Sequence, residues 1–329
     1  MTPVQPLNSR YSSRSGAPPL ALLSFAEIPQ LQAFTMSVQR LLKAQPVLAV
    51  VSDQHLVVCW QRRQTWFWRL GHWAPDSCRD GVPLLREAMG ELLADLLFES
   101  DVLGAEILLV LPEASCDWRV LEGASLSRLE QAEDRSQLLS ELTWSIDPDA
   151  TVLALSPCAD AVLALGAARP TVQAWIEVVE MADLPLRRMD WCLSAGLRAL
   201  NRFCPDWTGD LAWLLHSCRG LRLVLIRAGV PELDRCVSLD VDDPLAAWEQ
   251  LVQVVDAWQQ INSAAPLGWW LSLPAKERDG WAGRCVQARG DTRLDHEIPG
   301  APVAWDPLDS SELDPVVELL LSALPGERA

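Results

Sequence analysis

The side chains able to do chemistry fall into a few small groups. His216 and Cys218 flank Ser217 and offer two metal donors. A closed site needs about four, and no third ligand follows nearby. Asp147 with Asp149, and Asp240 with Asp242 and Asp243, are paired carboxylates of the kind that share a proton or hold a cation. Each set adjoins a proline, Pro148 or Pro244, so turns and helix N-termini are the expected setting. His55, His72 and His296 have no Ser or Cys nucleophile in a recognisable arrangement, and the chain contains no G-x-G-x-x-G, P-loop or G-x-S-x-G. The residues predict no metal site and no catalytic centre. Trp66 and Trp68 alternate with Thr65 and Phe67, which sets both indoles on one face of a strand. Core packing is the default for such a pair, and an aromatic docking face for a partner peptide is the functional reading.

Composition narrows the classes further. Of 329 residues, 50% are hydrophobic and 22% charged, which excludes a disordered or fibrous chain and predicts a sizeable core. The net charge of −17 repels phosphate backbones, so nucleic-acid binding is not expected. None of the nine cysteines forms a C-x-x-C, and most lie in apolar runs such as Val58-Cys59-Trp60. Reduced, buried thiols of a cytosolic chain are expected. The 16 tryptophans against one tyrosine suggest no function by themselves. No apolar run reaches the roughly 18 residues of a spanning helix. The longest, Val152–Ala168, is interrupted by Pro157 and Asp160.

The elements that must position these residues show a repeated order. Residues 1–36, rich in Pro, Ser and Gln, are expected to be a disordered tail. Arg10 and Arg14 before Pro19–Ala26 imitate a leader only faintly, and Met36 is a candidate start. Strands are expected at Pro46–Val51, His55–Trp60 and Thr65–Leu70, then a helix over Pro83–Phe98 whose Leu84, Ala88, Leu92 and Leu96 share a face. The nearly unbroken apolar run Ala105–Leu111 reads as a buried parallel strand. About 160 residues later the order returns: strands Leu211–Leu215, Leu221–Ile226 and Gly229–Ser238, a helix Pro244–Trp258 and a buried strand Gly268–Leu273. A helix over Arg278–Arg289, a strand Pro302–Trp305 and a helix Ser311–Leu324, capped by Ser310 or Ser311, complete this half. Between the copies lie Trp118–Leu121, a helix near Ser127–Trp144, a hairpin over Val152–Leu165, and helices Pro170–Met181 and Asp190–Phe203.

A duplicated β-β-β-α-β-α unit is the actin-like, ribonuclease H-like arrangement, with an inserted α+β subdomain here. Local segments resemble the type IV pilus assembly protein PilM family. They are Glu106–Pro112 with Trp118–Leu121, the short acidic helix Leu138–Trp144, the crossing Val172–Leu186 followed by Asp190 and Leu193–Asn201, and the turn Arg227-Ala-Gly-Val-Pro231. Their order spans residues 45–325. The implied division is a tail at 1–36, a first lobe at 37–112, an inserted subdomain with return to the first lobe at 113–203, and a second lobe at 204–329.

The resemblance also says where nucleotide chemistry would lie. In the superfamily two strand turns, each Asp-x-Gly with small hydroxyl residues after it, clasp phosphates. Glycine admits backbone N–H groups to the oxygens and Asp positions hydrated magnesium. At the first turn, Ser52-Asp53-Gln54, the Asp position is Val50 and the Gly position is Ser52. At the second, Ser217-Cys218-Arg219-Gly220, they are Leu215 and Ser217. The Gly-Gly that would pack adenosine is Leu273-Pro274. All three depart from the pattern, which predicts no ATP or magnesium cofactor and no catalysis unless Asp53 and Arg219 replace the lost groups. The resemblance then implies a cytosolic scaffold of type IV pilus assembly, in many bacteria also of competence pili. It would dock the cytosolic tail of an inner-membrane PilN-like protein beside other pilus components. The alternatives are an active ATPase or small-molecule kinase of the same fold, a GspL-like type II secretion component, and a free-standing binding module.

Overall fold

The computed structural model describes residues 45–62, 65–122, 137, 141–142, 144, 147–203, 209–217, 220–237, 244–262, 267–274, 277–278, 280–281, 283–284, 292–293 and 314–322. Strand β1, Gln45–Val51, takes a central place because both its faces are apolar. It pairs antiparallel with β2, His55–Arg62, and parallel with β6, Ala105–Leu111. β3, Thr65–His72, and β10, Leu186–Trp191, complete a five-stranded sheet of order β10-β6-β1-β2-β3. A two-strand hairpin, β4 Cys78–Arg79 and β5 Val82–Pro83, precedes helix α1, Arg86–Glu99.

The second half repeats the plan. β11 Asp210–Ser217, β12 Gly220–Arg227, β13 Val230–Val237, β14 Leu267–Ser272 and β15 Thr292–Arg293 form a sheet of order β13-β12-β11-β14-β15. The pairing senses match in the two sheets. The first strand is antiparallel to the second and parallel to the fourth, so the expected duplication is borne out. Between the sheets in sequence, β7 Cys116–Glu122, β8 Thr151–Cys158 and β9 Ala161–Ala168 make an antiparallel sheet of order β7-β9-β8. The expected hairpin over Val152–Leu165 is its β8–β9 pair, turning at Ala159 with φ 48°.

Helices α1 and α2, Arg169–Met181, cover one face of the first sheet and meet each other at Gly90. A Cβ there would lie 2.6 Å from Met181 Cβ and 2.8 Å from the Val178 carbonyl oxygen. Helix α3, Cys192–Phe203, covers the other face and packs on α5, Pro315–Ser322. Helix α4, Pro244–Asn262, packs on the second sheet. Along β11 the sides alternate. Leu211, Trp213 and Leu215 join the core shared with the first sheet, while Ala212 and Leu214 face the α4 core.

The tryptophans now have a structural account. Trp175, Trp191, Trp213 and Trp269 are among the largest fully buried side chains. The indole N–H groups of Trp175 and Trp191 tie loops to the core, donating to the Gly81 carbonyl at 2.9 Å and the Pro112 carbonyl at 3.1 Å, and that of Trp213 reaches Ser272 Oγ of the neighbouring strand β14 at 3.0 Å.

Several expected boundaries are corrected. Val82–Pro83 belongs to a strand, and α1 starts at Arg86, one turn later than the apolar spacing predicts. Asp190 and Trp191 close β10 rather than open α3, because Asp190 pairs with Val110 in the parallel ladder. α5 is described from Pro315, with Val316 N–H donating to Asp314 Oδ1 at 2.8 Å, while the cap candidates Ser310 and Ser311 lie outside the described residues. Residues 277–278, 280–281 and 283–284 are helical, within and just before the expected Arg278–Arg289 helix. The tail 1–36 and the Pro302–Trp305 strand lie outside the described residues, as does most of the Ser127–Trp144 helix.

Candidate functional site

The C-terminal ends of β1 and β11, the strands that correspond in the two sheets, converge on a cavity of about 210 Å³. Its walls are the β1–β2 turn, the Pro112–Ala114 segment, His216 and Ser217, the N-terminus of α3, and Asp314 with α5. Val50 and Leu215, where the resemblance asks for Asp, are 2% and 1% exposed and form part of the apolar floor.

The first turn satisfies itself. Ser52 Oγ accepts from the backbone N–H groups of Gln54 at 3.3 Å and His55 at 3.0 Å, and it also contacts His55 Nδ1 at 3.1 Å. The Ser52 carbonyl accepts from Trp73 Nε1 at 2.9 Å, which pins the turn from behind. Amides that a glycine turn would present to an anion are therefore bound by the serine hydroxyl. Asp53 is likewise engaged. Its Oδ1 accepts from Gly81 N–H at 2.8 Å and lies 3.5 Å from Cys78 Sγ, holding the β4–β5 hairpin. Gly81 has φ 75° and lies against Ser115, so the hairpin that Asp53 grips requires glycine at that position. Gln54 is exposed, and its carbonyl accepts from Trp73 N–H at 2.9 Å.

At the end of β11, Ser217 meets an acid. Ser217 Oγ donates to Glu113 Oε1 at 2.9 Å, and Arg222 Nη1 donates to the same oxygen at 2.7 Å. Arg222 also grips Asp234, Nε to Oδ1 at 2.8 Å and Nη2 to Oδ2 at 2.5 Å, and Asp234 Oδ2 accepts from Trp118 Nε1 at 2.7 Å. The guanidinium lies 5.8 Å from the centre of the Trp191 ring, which meets Trp118 edge-on at 5.3 Å. Burial opposes the charge of Arg222, but hydrogen bonds and charge from Asp234, then Glu113, outweigh it and hold its pKa above the ordinary value. This cluster joins the second sheet to the Pro112–Ser115 segment and β7. Gly220 sits at φ 124° opposite Ser217, while Cys218 and Arg219 lie outside the described residues.

At the third corner, the Leu273 carbonyl accepts both Nε and Nη2 of Arg278 at 3.2 and 3.1 Å, and the Pro274 carbonyl accepts from the amides of Glu277 and Arg278. The strand end is thereby closed by the start of the next helix. Beneath the cavity, burial, with Glu113 and Asp314 close by, raises the Cys192 thiol well above its ordinary pKa, so it is held as the neutral thiol. Asp314 also has a raised pKa. Burial is the cause, partly offset by the amides of Val316 and Val317 and by His216 and His55.

The other sequence candidates lie apart. Trp68 is 4% exposed within the first core and Trp66 is partly buried against it, on the sheet face that also carries Cys59. Asp147 and Asp149 form a turn, with Asp149 N–H donating to Asp147 Oδ1 at 3.0 Å. His72 meets His55 ring to edge at 5.1 Å. Asp240, Asp242, Asp243 and His296 lie outside the described residues. Among the described residues no group of three or more His, Cys, Asp or Glu is placed to hold a metal. Sequence reasoning missed Glu113, Arg222, Asp234 and Asp314. Only the Leu-Pro that ends β6 hinted at a turn before Glu113.

No family model matches this sequence, and no curated protein matches it. Among solved structures it is similar to a chain of the PilM–PilN type IV pilus biogenesis complex, with TM-score 0.64 and 17% identity, covering 86% of this chain and 99% of that one. It is also similar to a Bacteroides thetaiotaomicron protein with actin-like ATPase fold and unknown function, with TM-score 0.52 and 9% identity over 85% and 96% of the two chains. This chain has the actin-like ATPase fold. The PilM-like resemblance read from the sequence is borne out at the level of that fold.

Proposed function

We propose that this chain is a non-catalytic scaffold of type IV pilus assembly that receives the cytosolic segment of an inner-membrane PilN-like protein. The observation that supports the non-catalytic reading is that Ser52 Oγ engages the amides of the first turn, while Ser217, where the second turn begins, is hydrogen-bonded to Glu113. The remaining 210 Å³ falls below the roughly 300–1,000 Å³ of small-molecule sites. The pilus reading is supported by the likeness in fold to a chain of the PilM–PilN complex over almost the whole of that chain. No helix among the described residues is long and apolar enough to cross a membrane, so in this reading the chain sits at the inner face of the membrane through its partner. A folded receptor holding a short extended tail needs only a groove and a few apolar anchors.

The test is a titration of the full chain with a synthetic peptide of the cytosolic N-terminus of the PilN-like protein encoded beside it. Saturable one-to-one binding, lost on scrambling the peptide, is expected. Absence of binding, or of any bitopic membrane protein encoded nearby with a short cytosolic tail, overturns the pilus reading.

A further inference from the structure

A second cavity, of about 330 Å³, lies between the first sheet and α3. The parallel register sets Leu48, Leu108 and Arg188 in one row, and Val50, Val110 and Asp190 in the next. Paired positions project from the same face of a sheet. Helix α3 presents Ala195, Arg198, Ala199 and Arg202 to the cavity, a spacing that keeps all four on one helical side. Leu320 of α5 closes one end. Aliphatic residues form the walls, and the two alanines stand where larger side chains would fill the space. The volume lies within the range of small-molecule pockets.

The charge at this cavity runs against that of the chain. Its lining holds three guanidinium groups, Arg188, Arg198 and Arg202, and one carboxylate, Asp190, in a chain of net charge −17. Asp190 is already well supplied with donors. Its Oδ1 accepts from Ser194 Oγ and from Trp191 N–H, each at 2.9 Å; its Oδ2 accepts from Arg198 and lies 3.5 Å from Arg188 Nη2. Arg188 and Arg198 carry five N–H donors each, more than this one acid and Ser194 Oγ, which accepts from Arg198 Nη1 at 3.4 Å, can take up. Arg188 and Arg198 keep 68% and 45% of their side chains exposed, with Asp190 fixing their position at the mouth.

We propose that this cavity binds a monomeric anionic amphiphile, its aliphatic chain under α3 and its carboxylate or phosphate head on Arg188 and Arg198. The inference does not rest on the pilus reading. A free fatty acid and a single-chain phospholipid share the required chemistry. The test is calorimetric titration of the full chain with decanoate and with decyl phosphate, with decylamine as the control of opposite charge. One-to-one binding of at least one anion is expected, decanoate alone pointing to a fatty acid and decyl phosphate to a phosphorylated lipid, and decylamine is expected to give no heat. Arg188→Gln should weaken binding by about tenfold or more, the loss of a charged hydrogen bond. Ala195→Leu should abolish it by filling the cavity. Thermal melting of both variants reports folding, and if A195L melts early the mostly exposed R188Q decides alone. No saturable binding of either anion, equal binding of decylamine, or undiminished binding by R188Q would overturn the proposal.

Discussion

Replacing Arg222 by Met tests whether the cluster around it holds the two halves of the molecule together. The side chain is 12% exposed, and its partners Glu113 and Asp234 are 16% and 21% exposed. The substitution removes three hydrogen bonds to carboxylates at 2.5–2.8 Å and leaves two largely buried acids without a counter-charge. Breaking a buried ion pair by removing one partner costs about 3–5 kcal/mol. Glu113 keeps the Ser217 hydroxyl and Asp234 keeps the Trp118 indole, so the lower end, about 3 kcal/mol, is the expected loss. Equilibrium urea unfolding, followed by tryptophan fluorescence, reads this as a fall in the midpoint. A second protein carrying R222M with Glu113→Gln and Asp234→Asn should recover most of the loss, because no unpaired charge is then buried. A loss below about 1 kcal/mol in R222M would refute the reasoning, since that is the scale of a solvated surface pair.

Two further outcomes follow from the packing and the buried thiols. Gly196→Ala should lower the melting temperature, although alanine is the better helix former by about 1 kcal/mol, because the new Cβ would lie 2.5 Å from Trp213 Cη2; an unchanged or raised melting temperature would refute the tight α3–β11 contact. Burial pushes the thiols of Cys59 and Cys116 up to about 12 and that of Cys158 to about 11, from an ordinary 9.0, so the folded chain retains protons that the unfolded chain releases. Stability is therefore expected to be full below pH 9 and to decline from there toward pH 11–12, and iodoacetamide at pH 8 should label these three cysteines only in denaturant, as peptide mass spectrometry would show.

The duplicated sheets were legible because the central strands, such as β1, β6, β11, β12 and β14, are short apolar runs between polar breaks, and because the order of elements repeats. β10 was less legible. As an edge strand it needs one apolar face only, and Arg187 and Arg188 interrupt its pattern. The hydrophobic spacing assigns its last two residues, Asp190 and Trp191, to the helix that follows. The degenerate turns could be read only as missing residue types. How Ser52 and Asp53 are engaged depends on Trp73 and Gly81, 21 and 28 residues away. The Glu113–Arg222–Asp234–Trp118 cluster joins residues more than a hundred positions apart, and its charged members sit singly in the sequence without any motif. Tryptophan usage carried no message until the indole N–H groups could be seen reaching loop carbonyls and carboxylates.

The central proposal is that the turns at the ends of β1 and β11 do not bind a nucleotide. Isothermal calorimetry of the full chain with ATP in the presence of Mg²⁺ tests it most directly. No saturable heat up to millimolar ATP is the predicted result, and one-to-one binding in the micromolar range would contradict it.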